Sequence, residues 1–232
     1  MTSEFIFSLP QPFIAILGSS KRFPVRRVWC VGRNYAAHAR ELGNDAKDPP
    51  FFFSKQPDML VPVSASDKNG GVIRYPGLTS NYHYECELVV ALKDGGENVS
   101  VVDAPKLIFG HAVGLDMTRR DLQKQMQEKG RPWEIGKSFE QSAPIGSLTP
   151  SSGPLLSARI RLSVNGEVKQ DSDTGLMLWN EAEIVSRLSQ QVALSAGDVI
   201  FTGTPEGVGA VKRGDRLLAE VAGLEPLSVT IA

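Results

Sequence analysis

The stretch Tyr82-His83-Tyr84-Glu85-Cys86-Glu87-Leu88-Val89-Val90-Ala91-Leu92 decides how this chain is read. From Tyr84 onward it has the character of a β-strand. Its last five residues are apolar without alternation, as expected for a strand buried on both faces. Residues i and i+2 of a strand share a face, so Glu85 and Glu87 stand side by side as like charges one pleat apart. Such a pair needs either solvent or a positive charge between its members.

Around this stretch, β-strands are expected at VWCVG (28–32), FFFSK (51–55), MLVPV (59–63), IRYPG (73–77) and IFGHAVGLD (108–116). ARIRLSVNGEVKQ (158–170) alternates with period two about Asn165-Gly166, a type I′ hairpin signal, and DVIFTGT, RLLAEVAG and LSVTIA supply closing strands. Helices are expected at Asn34–Leu42, ended by Gly43, and at Thr118–Lys129, with Thr118-x-x-Asp121 as its cap and Gly130 as its stop. A third runs Glu181–Gln191 behind Asn180-x-x-Glu183. Strands outnumber helices and do not alternate with them, which predicts a β-rich α+β fold and excludes a doubly wound sheet. Residues 1–26, rich in Pro and Ser, read as a lead-in segment.

A formal net charge of −1 over 232 residues offers no basic field for nucleic acid. The one basic cluster, KRFPVRR (21–27), reads as a solvated loop. No apolar run reaches the ~18 residues of a membrane span, and the N-terminus lacks the basic and apolar regions of a signal peptide. A cytoplasmic protein is therefore expected, with Cys30 and Cys86 as buried, reduced thiols.

Four constellations carry possible chemistry. Glu85, Glu87 and Asp116, the last residue of a strand, make a three-carboxylate set of the hard oxygen ligands that Mg²⁺ takes. A dication would also remove the repulsion between the two glutamates. The alternative is a solvent-facing strand with Asp116 capping the next helix. Thr118 as cap and the unbroken run LVVAL weigh against it. His38 and Glu41, at i and i+3, form a general-base dyad or an ordinary surface pair. Arg120 and Gln123, again at i and i+3, with Lys137 in the loop beyond, offer donors to an anionic ligand or are simply exposed. The turn TGTPEGVG (202–209) lacks the Gly-Lys-Ser/Thr of a phosphate loop, but its Thr204 hydroxyl and backbone amides can hold a carboxylate.

VGRNYAAHARELG, PPFFFSK, YHYECELVVAL, GLDMTRRDLQ, the run from Lys129 to Phe139 and GDVIFTGTPEGVG, in that order, resemble the fumarylacetoacetate hydrolase family, its acylpyruvase and fumarylpyruvate hydrolase branch in particular. The resemblance implies a mixed β roll over residues 27–232, a homodimer, and Mg²⁺ or Mn²⁺ on Glu85, Glu87 and Asp116. It places a catalytic dyad on His38 and Glu41, with Lys137 assisting, and substrate contacts on Arg33, Lys55, Arg120, Gln123 and Thr204. Gln56 follows Lys55 where related sequences often have Pro, a departure that bears on the local loop. The expected reaction is hydrolysis of the C–C bond of an acylpyruvate, fumarylpyruvate first, on a small 2-oxo acid substrate. Alternatives are oxaloacetate decarboxylation, 2-oxo acid hydration or isomerisation, and a catalytically silent 2-oxo acid binder.

Overall fold

The computed structural model describes residues 6–43, 49–64, 67 and 69–232. The strand Cys86–Leu92 lies in an eight-stranded mixed sheet, between Asp198–Phe201 and Ile108–Leu115. Phe51–Lys55 forms one edge, outside Arg27–Gly32, and Leu60–Pro62 the other, outside Ala143–Ile145. A five-stranded sheet runs Glu167–Asp173, Arg159–Val164, Arg216–Val221, Leu227–Ile231, Gly71–Ile73. Three of the pairings are parallel: Asp198–Phe201 with Arg27–Gly32, Ala143–Ile145 with Leu60–Pro62, and Leu227–Ile231 with Gly71–Ile73. Two smaller sheets, Phe13–Ala15 with Arg22–Pro24 and Tyr82–Tyr84 between Thr118–Arg119 and Gly209–Ala210, accompany four α-helices among the described residues: α1 (Ala36–Glu41), α2 (Arg120–Glu128), α3 (Glu134–Lys137) and α4 (Glu181–Ser189). The β-rich α+β expectation holds.

Both faces of Cys86–Leu92 are buried, as its unbroken apolar run predicts. Cys86 and Leu88 pack in a core with Ile160, Leu162, Leu217 and Val229 of the five-stranded sheet. Val89 and Ala91 point the other way, into a core with Val28, Cys30, Val199 and Phe201. The turn signal at Asn165-Gly166 is also realised, with φ of 53° and 84° at the two residues. Asn180 and Glu183 close a reciprocal capping box at the start of α4.

Several local expectations fail, among them the strand IRYPG (73–77), of which only Ile73 lies in a strand, Gly71–Ile73. KRFPVRR is not a solvated loop: Arg22–Pro24 is a strand paired with Phe13–Ala15, Phe23 is buried, and Arg27 grips the buried Asp198 carboxylate at 2.9 and 2.6 Å. The apolar Phe23 and the ion pair outweigh the charge run. Thr118 does not cap a helix. It sits in the two-residue strand Thr118–Arg119, its hydroxyl donates to the Asp116 carbonyl, and α2 begins at Arg120. The edge pairing with Tyr82–Tyr84 holds those two residues extended. Lys137, expected in a loop, ends the short helix α3. Of the lead-in, residues 1–5 lie outside the described residues, and Ile14, Phe23 and Val25 enter the core.

Candidate active site

Strand register assembles the carboxylates. Cys86–Leu92 and Ile108–Leu115 run antiparallel with Glu87 opposite Gly114 and Cys86 opposite Leu115. Continuing that register sets Asp116 opposite Glu85, where the Asp116 amide donates to the Glu85 carbonyl at 2.9 Å. Directly opposed residues and those two apart share a face, so Glu85, Glu87 and Asp116 converge. Each offers an oxygen, and these oxygens lie within 4.8 Å of one another. All three residues are buried.

Three cations compensate this charge unevenly. Lys137 Nζ lies 2.7 Å from Glu85 and 2.8 Å from Asp116, Lys55 Nζ lies 2.9 Å from Asp116, and Arg120 pairs with Glu85. Burial alone would raise the Glu85 pKa, but Lys137 and Arg120 overcome it and hold the carboxyl well below its usual range. Burial likewise opposes the charge on Lys137, yet Asp116 and Glu85 keep its pKa above the ordinary value. Glu87 goes the other way: burial first, then the charges of Asp116 and Glu85, push its carboxyl well above the usual range. Its hydrogen-bond donor is a backbone amide, Gly203 N, at 2.8 Å. Three hard oxygen donors, one of them short of positive charge, fit a divalent cation.

The turn after Asp198–Phe201 supplies that amide. Gly203 has φ of 98°, and a Cβ there would meet Asn34 Cβ at 2.8 Å, so only glycine lets the turn lie so close to the segment leading into α1. Thr204 borders the site, but its hydroxyl proton goes to the Cys86 carbonyl at 2.8 Å and its oxygen accepts from Gln170 at 2.8 Å. The carboxylate held by this turn is the chain's own Glu87.

Asn34 ties the entrance of α1 to the same turn, donating to the Thr202 and Trp179 carbonyls. On α1, His38 Nδ1 lies 3.0 Å from Glu41 Oε2, and Glu41 Oε1 accepts from Gly207 N at 3.0 Å. The glutamate thus orients the imidazole and fastens the helix to the turn. On α2, Arg120 Nη1 donates to Gln123 Oε1 at 2.6 Å, which leaves the Gln123 amide NH₂ as its donor group.

One cavity of about 450 Å³ joins these groups. His38, Glu41, Glu85, Glu87, Asp116, Arg120, Gln123, Lys137, Thr204 and Arg33 all line it. Lys55, expected to touch substrate, is not among its lining residues. It lies fully buried behind Asp116, donating to the Met117 and Lys137 carbonyls, and so positions Asp116 and Lys137. The departure at Gln56 has a simple local outcome: Gln56 precedes a single 3₁₀ turn, Pro57–Met59, in which Pro57 takes the first position.

The sequence reading missed Gln170. This buried residue accepts from the Cys86 amide and donates to Thr204 and the Pro205 carbonyl, clamping the strand break at Glu85 to the turn that holds Glu87. A polar residue at an alternating hairpin position carries no sign of which face is covered. The aromatic wall of Phe51, Phe53 and Trp133 was missed as well. Trp133 lies 5.8 Å from Phe51 and 5.1 Å from Phe53, between ring centroids.

Residues 27–232 match the family described as fumarylacetoacetate (FAA) hydrolase C-terminal. A fumarylpyruvate hydrolase of Ralstonia sp is 45% identical over 182 residues, which are 78% of this chain and 92% of that protein. A mitochondrial oxaloacetate tautomerase of Homo sapiens is 36% identical over 217 residues, 90% and 96% of the two chains. Among solved structures, fumarylpyruvate hydrolase from Pseudomonas aeruginosa in complex with Mn²⁺ and pyruvate superposes with a TM-score of 0.96, at 53% identity and 99% coverage of each chain. Motif order, sheet topology and these likenesses agree: the chain belongs to the fumarylacetoacetate hydrolase family.

Proposed function

We propose that this protein is a metal-dependent hydrolase of carbon–carbon bonds that cleaves an acylpyruvate, fumarylpyruvate first, to fumarate and pyruvate. The observation that carries the reading is the shared cavity. It sets a carboxylate-oriented imidazole, His38–Glu41, on the same cavity as three convergent carboxylates. The likeness to fumarylpyruvate hydrolases at 45% and 53% identity supports it.

Glu85, Glu87 and Asp116 would hold the metal, Mg²⁺ or Mn²⁺. When bound it supplies Lewis-acid polarisation of a 2-oxo acid's oxygens. His38, oriented by Glu41, takes a proton from water. The water oxygen adds to the carbonyl carbon remote from the pyruvate carboxylate. The bond from that carbon to the methylene then breaks, and its electron pair leaves as the enolate of pyruvate. Gln123 and Lys137 donate hydrogen bonds to the developing negative charge, and Lys137 delivers the proton that completes pyruvate at the methylene carbon. Arg120 steers Gln123 and screens Glu85, while Lys55 holds Asp116 and Lys137 in place. Arg33 and Thr204 border the bound substrate. With this reading go a catalytic unit of residues 27–232 behind a lead-in of 1–26, a homodimer, and a cytoplasmic location, in line with the absence of any helix long and apolar enough to cross a membrane among the described residues.

Product analysis tests the reading. Purified protein with Mn²⁺ or Mg²⁺ should convert fumarylpyruvate to equimolar fumarate and pyruvate. Oxaloacetate tautomerisation or decarboxylation is the second reading, favoured by mitochondrial relatives at 36–37% identity. A higher kcat/KM on oxaloacetate than on fumarylpyruvate would establish it. Metal binding without turnover of either substrate would leave a binding protein.

A further inference from the structure

The aromatic wall divides two cavities. Phe51, Phe53, Trp133 and Lys137 line the cavity of the carboxylate set, and the same four residues line a second cavity of about 330 Å³. Strand Phe51–Lys55 explains the arrangement. Phe51 and Phe53 share one of its faces, while Phe52 and Ser54, opposite Val31 and Trp29, share the other. The strand is an edge of its sheet, and the second cavity reaches around that edge to Trp29, Phe52 and Ser54. Pro132 and Glu134 complete its lining.

The phenylalanines stand on the strand, but the half-buried Trp133 comes from the segment between α2 and α3 and is braced against them. Its ring meets Phe51 edge to face, at 87° and 5.8 Å, and Phe53 at 57° and 5.1 Å. Its backbone is fixed as well. The Gly136 amide donates to the Trp133 carbonyl at 2.9 Å, and a Cβ at Gly136 would meet the Gln123 backbone nitrogen at 2.8 Å, so glycine lets α3 press against α2. Lys137 places the wall relative to the reacting groups. Its Nζ lies 2.7 Å from Glu85, 2.8 Å from Asp116 and 5.3 Å from the centroid of the Phe53 ring. The wall therefore begins beside the carboxylates and continues from Phe53 to Trp133.

We infer that Trp133 is the partition that limits acyl length in this protein: the acyl group ends against its ring, and the cavity behind it takes an apolar extension only when the partition is removed. The inference rests on the hydrolase reading above. A fumaryl group, short and flat, lies in front of the wall. An alkyl chain several methylenes longer meets the indole, while the space beyond, bordered by Trp29, Phe52 and Pro132, has the apolar lining that such a chain needs. Trp133 sets specificity without touching the reacting atoms.

The test compares kcat/KM for butanoylpyruvate and octanoylpyruvate, which differ only in acyl length, with fumarylpyruvate as reference. Wild type should favour the shorter acyl group. Trp133→Ala joins the two cavities and should raise the octanoyl-to-butanoyl ratio about tenfold or more, since each methylene moved out of water adds to binding. Trp133→Leu, which leaves part of the partition, should give a smaller rise, and Trp133→Phe should keep the wild-type preference. Adding Ser54→Leu to Trp133→Ala narrows the second cavity and should reverse much of the gain. A merely structural role for Trp133 would lower both substrates together and leave the ratio where it was. An unchanged or lower ratio in Trp133→Ala, or no octanoylpyruvate turnover where wild type has none, overturns the partition; should that variant not fold, Trp133→Leu decides by the same criterion. Wild-type protein that cleaves octanoylpyruvate as well as butanoylpyruvate overturns it too. Failure of the wild type to cleave any of the three acylpyruvates overturns the hydrolase reading, and the partition with it.

Discussion

His38 and His111 each face a glutamate within hydrogen-bond distance, at 3.0 Å to Glu41 and 2.7 Å to Glu181. The first pair borders the cavity and leaves the Glu41 side chain 32% exposed; the second is sealed, with side chains 2% and 0% exposed. Their second contacts differ accordingly. Glu41 reaches Gly207 in the turn beside the carboxylates, whereas Glu181 accepts from the Leu155 amide and fastens the start of α4 to the strand Ile108–Leu115. The same pairing borders the cavity in one place, where the proposed reaction uses it for proton transfer, and cross-links the fold in the other. An imidazole–carboxylate pair in a sequence is therefore ambiguous until its access to solvent is known.

The sharpest break of this comparison is His38→Ala. Turnover of fumarylpyruvate should fall about 10²- to 10⁴-fold in kcat, with thermal unfolding unchanged. Comparable activity in steady-state assays would move His38 into the class of His111. The reverse substitution, His111→Ala, strands a buried carboxylate and should cost about 3–5 kcal/mol in urea unfolding, with kcat of the folded protein retained. Loss of turnover without loss of stability would contradict the assignment. Glu41→Gln keeps an acceptor for Gly207 and removes only the charge beside the imidazole. About tenfold in kcat is expected from a less firmly oriented imidazole.

The carboxylate set gives a pH prediction. Glu87, raised by burial and by its acidic neighbours, favours the folded metal-free protein below the ordinary carboxylate range, and that stability is lost as pH rises through its raised pKa. Glu85, lowered by Lys137 and Arg120 against burial, contributes with the opposite sign: present above the ordinary range, lost as pH falls through its lowered pKa. A metal ligand must be deprotonated. Mn²⁺ affinity should therefore weaken as pH falls below the Glu87 pKa, by at most about tenfold per unit, with proton release on binding. Calorimetry in buffers of different ionisation enthalpy reads that proton directly. Binding that is independent of pH with no proton released would separate Glu87 from the metal.

Much of the site was legible because strand geometry is periodic. The two-residue repeat placed Glu85 beside Glu87, and the apolar run after them announced burial on both faces. Asp116 is free of helix capping, as the sequence suggests, yet Thr118 does not cap the helix either. What brings Asp116 in is antiparallel register, Glu87 opposite Gly114, which depends on which strands pair and is absent from either segment alone. Lys55 shows the complementary limit. Its motif pointed to the site, but only the packed sheet decides that it lies behind Asp116 rather than on the cavity wall. Gln170 meets Cys86 across 84 positions, and the Phe51–Trp133 contact joins a strand to a distant segment, so no local pattern records them. The basic run 21–27 misled because its buried apolar residues, Phe23 and Val25, decide where the chain goes.

The central claim is that Glu85 and Glu87 are metal ligands of a hydrolase and not an ordinary polar strand face. The direct measurement is steady-state hydrolysis of fumarylpyruvate by the double variant Glu85→Gln, Glu87→Gln at saturating Mn²⁺, with circular dichroism confirming the fold. The account predicts a protein that remains folded and has lost metal-dependent turnover, about 10³-fold or more, since several kcal/mol of charge stabilisation go with the ion. A stable double variant that still cleaves fumarylpyruvate at the wild-type rate would contradict it.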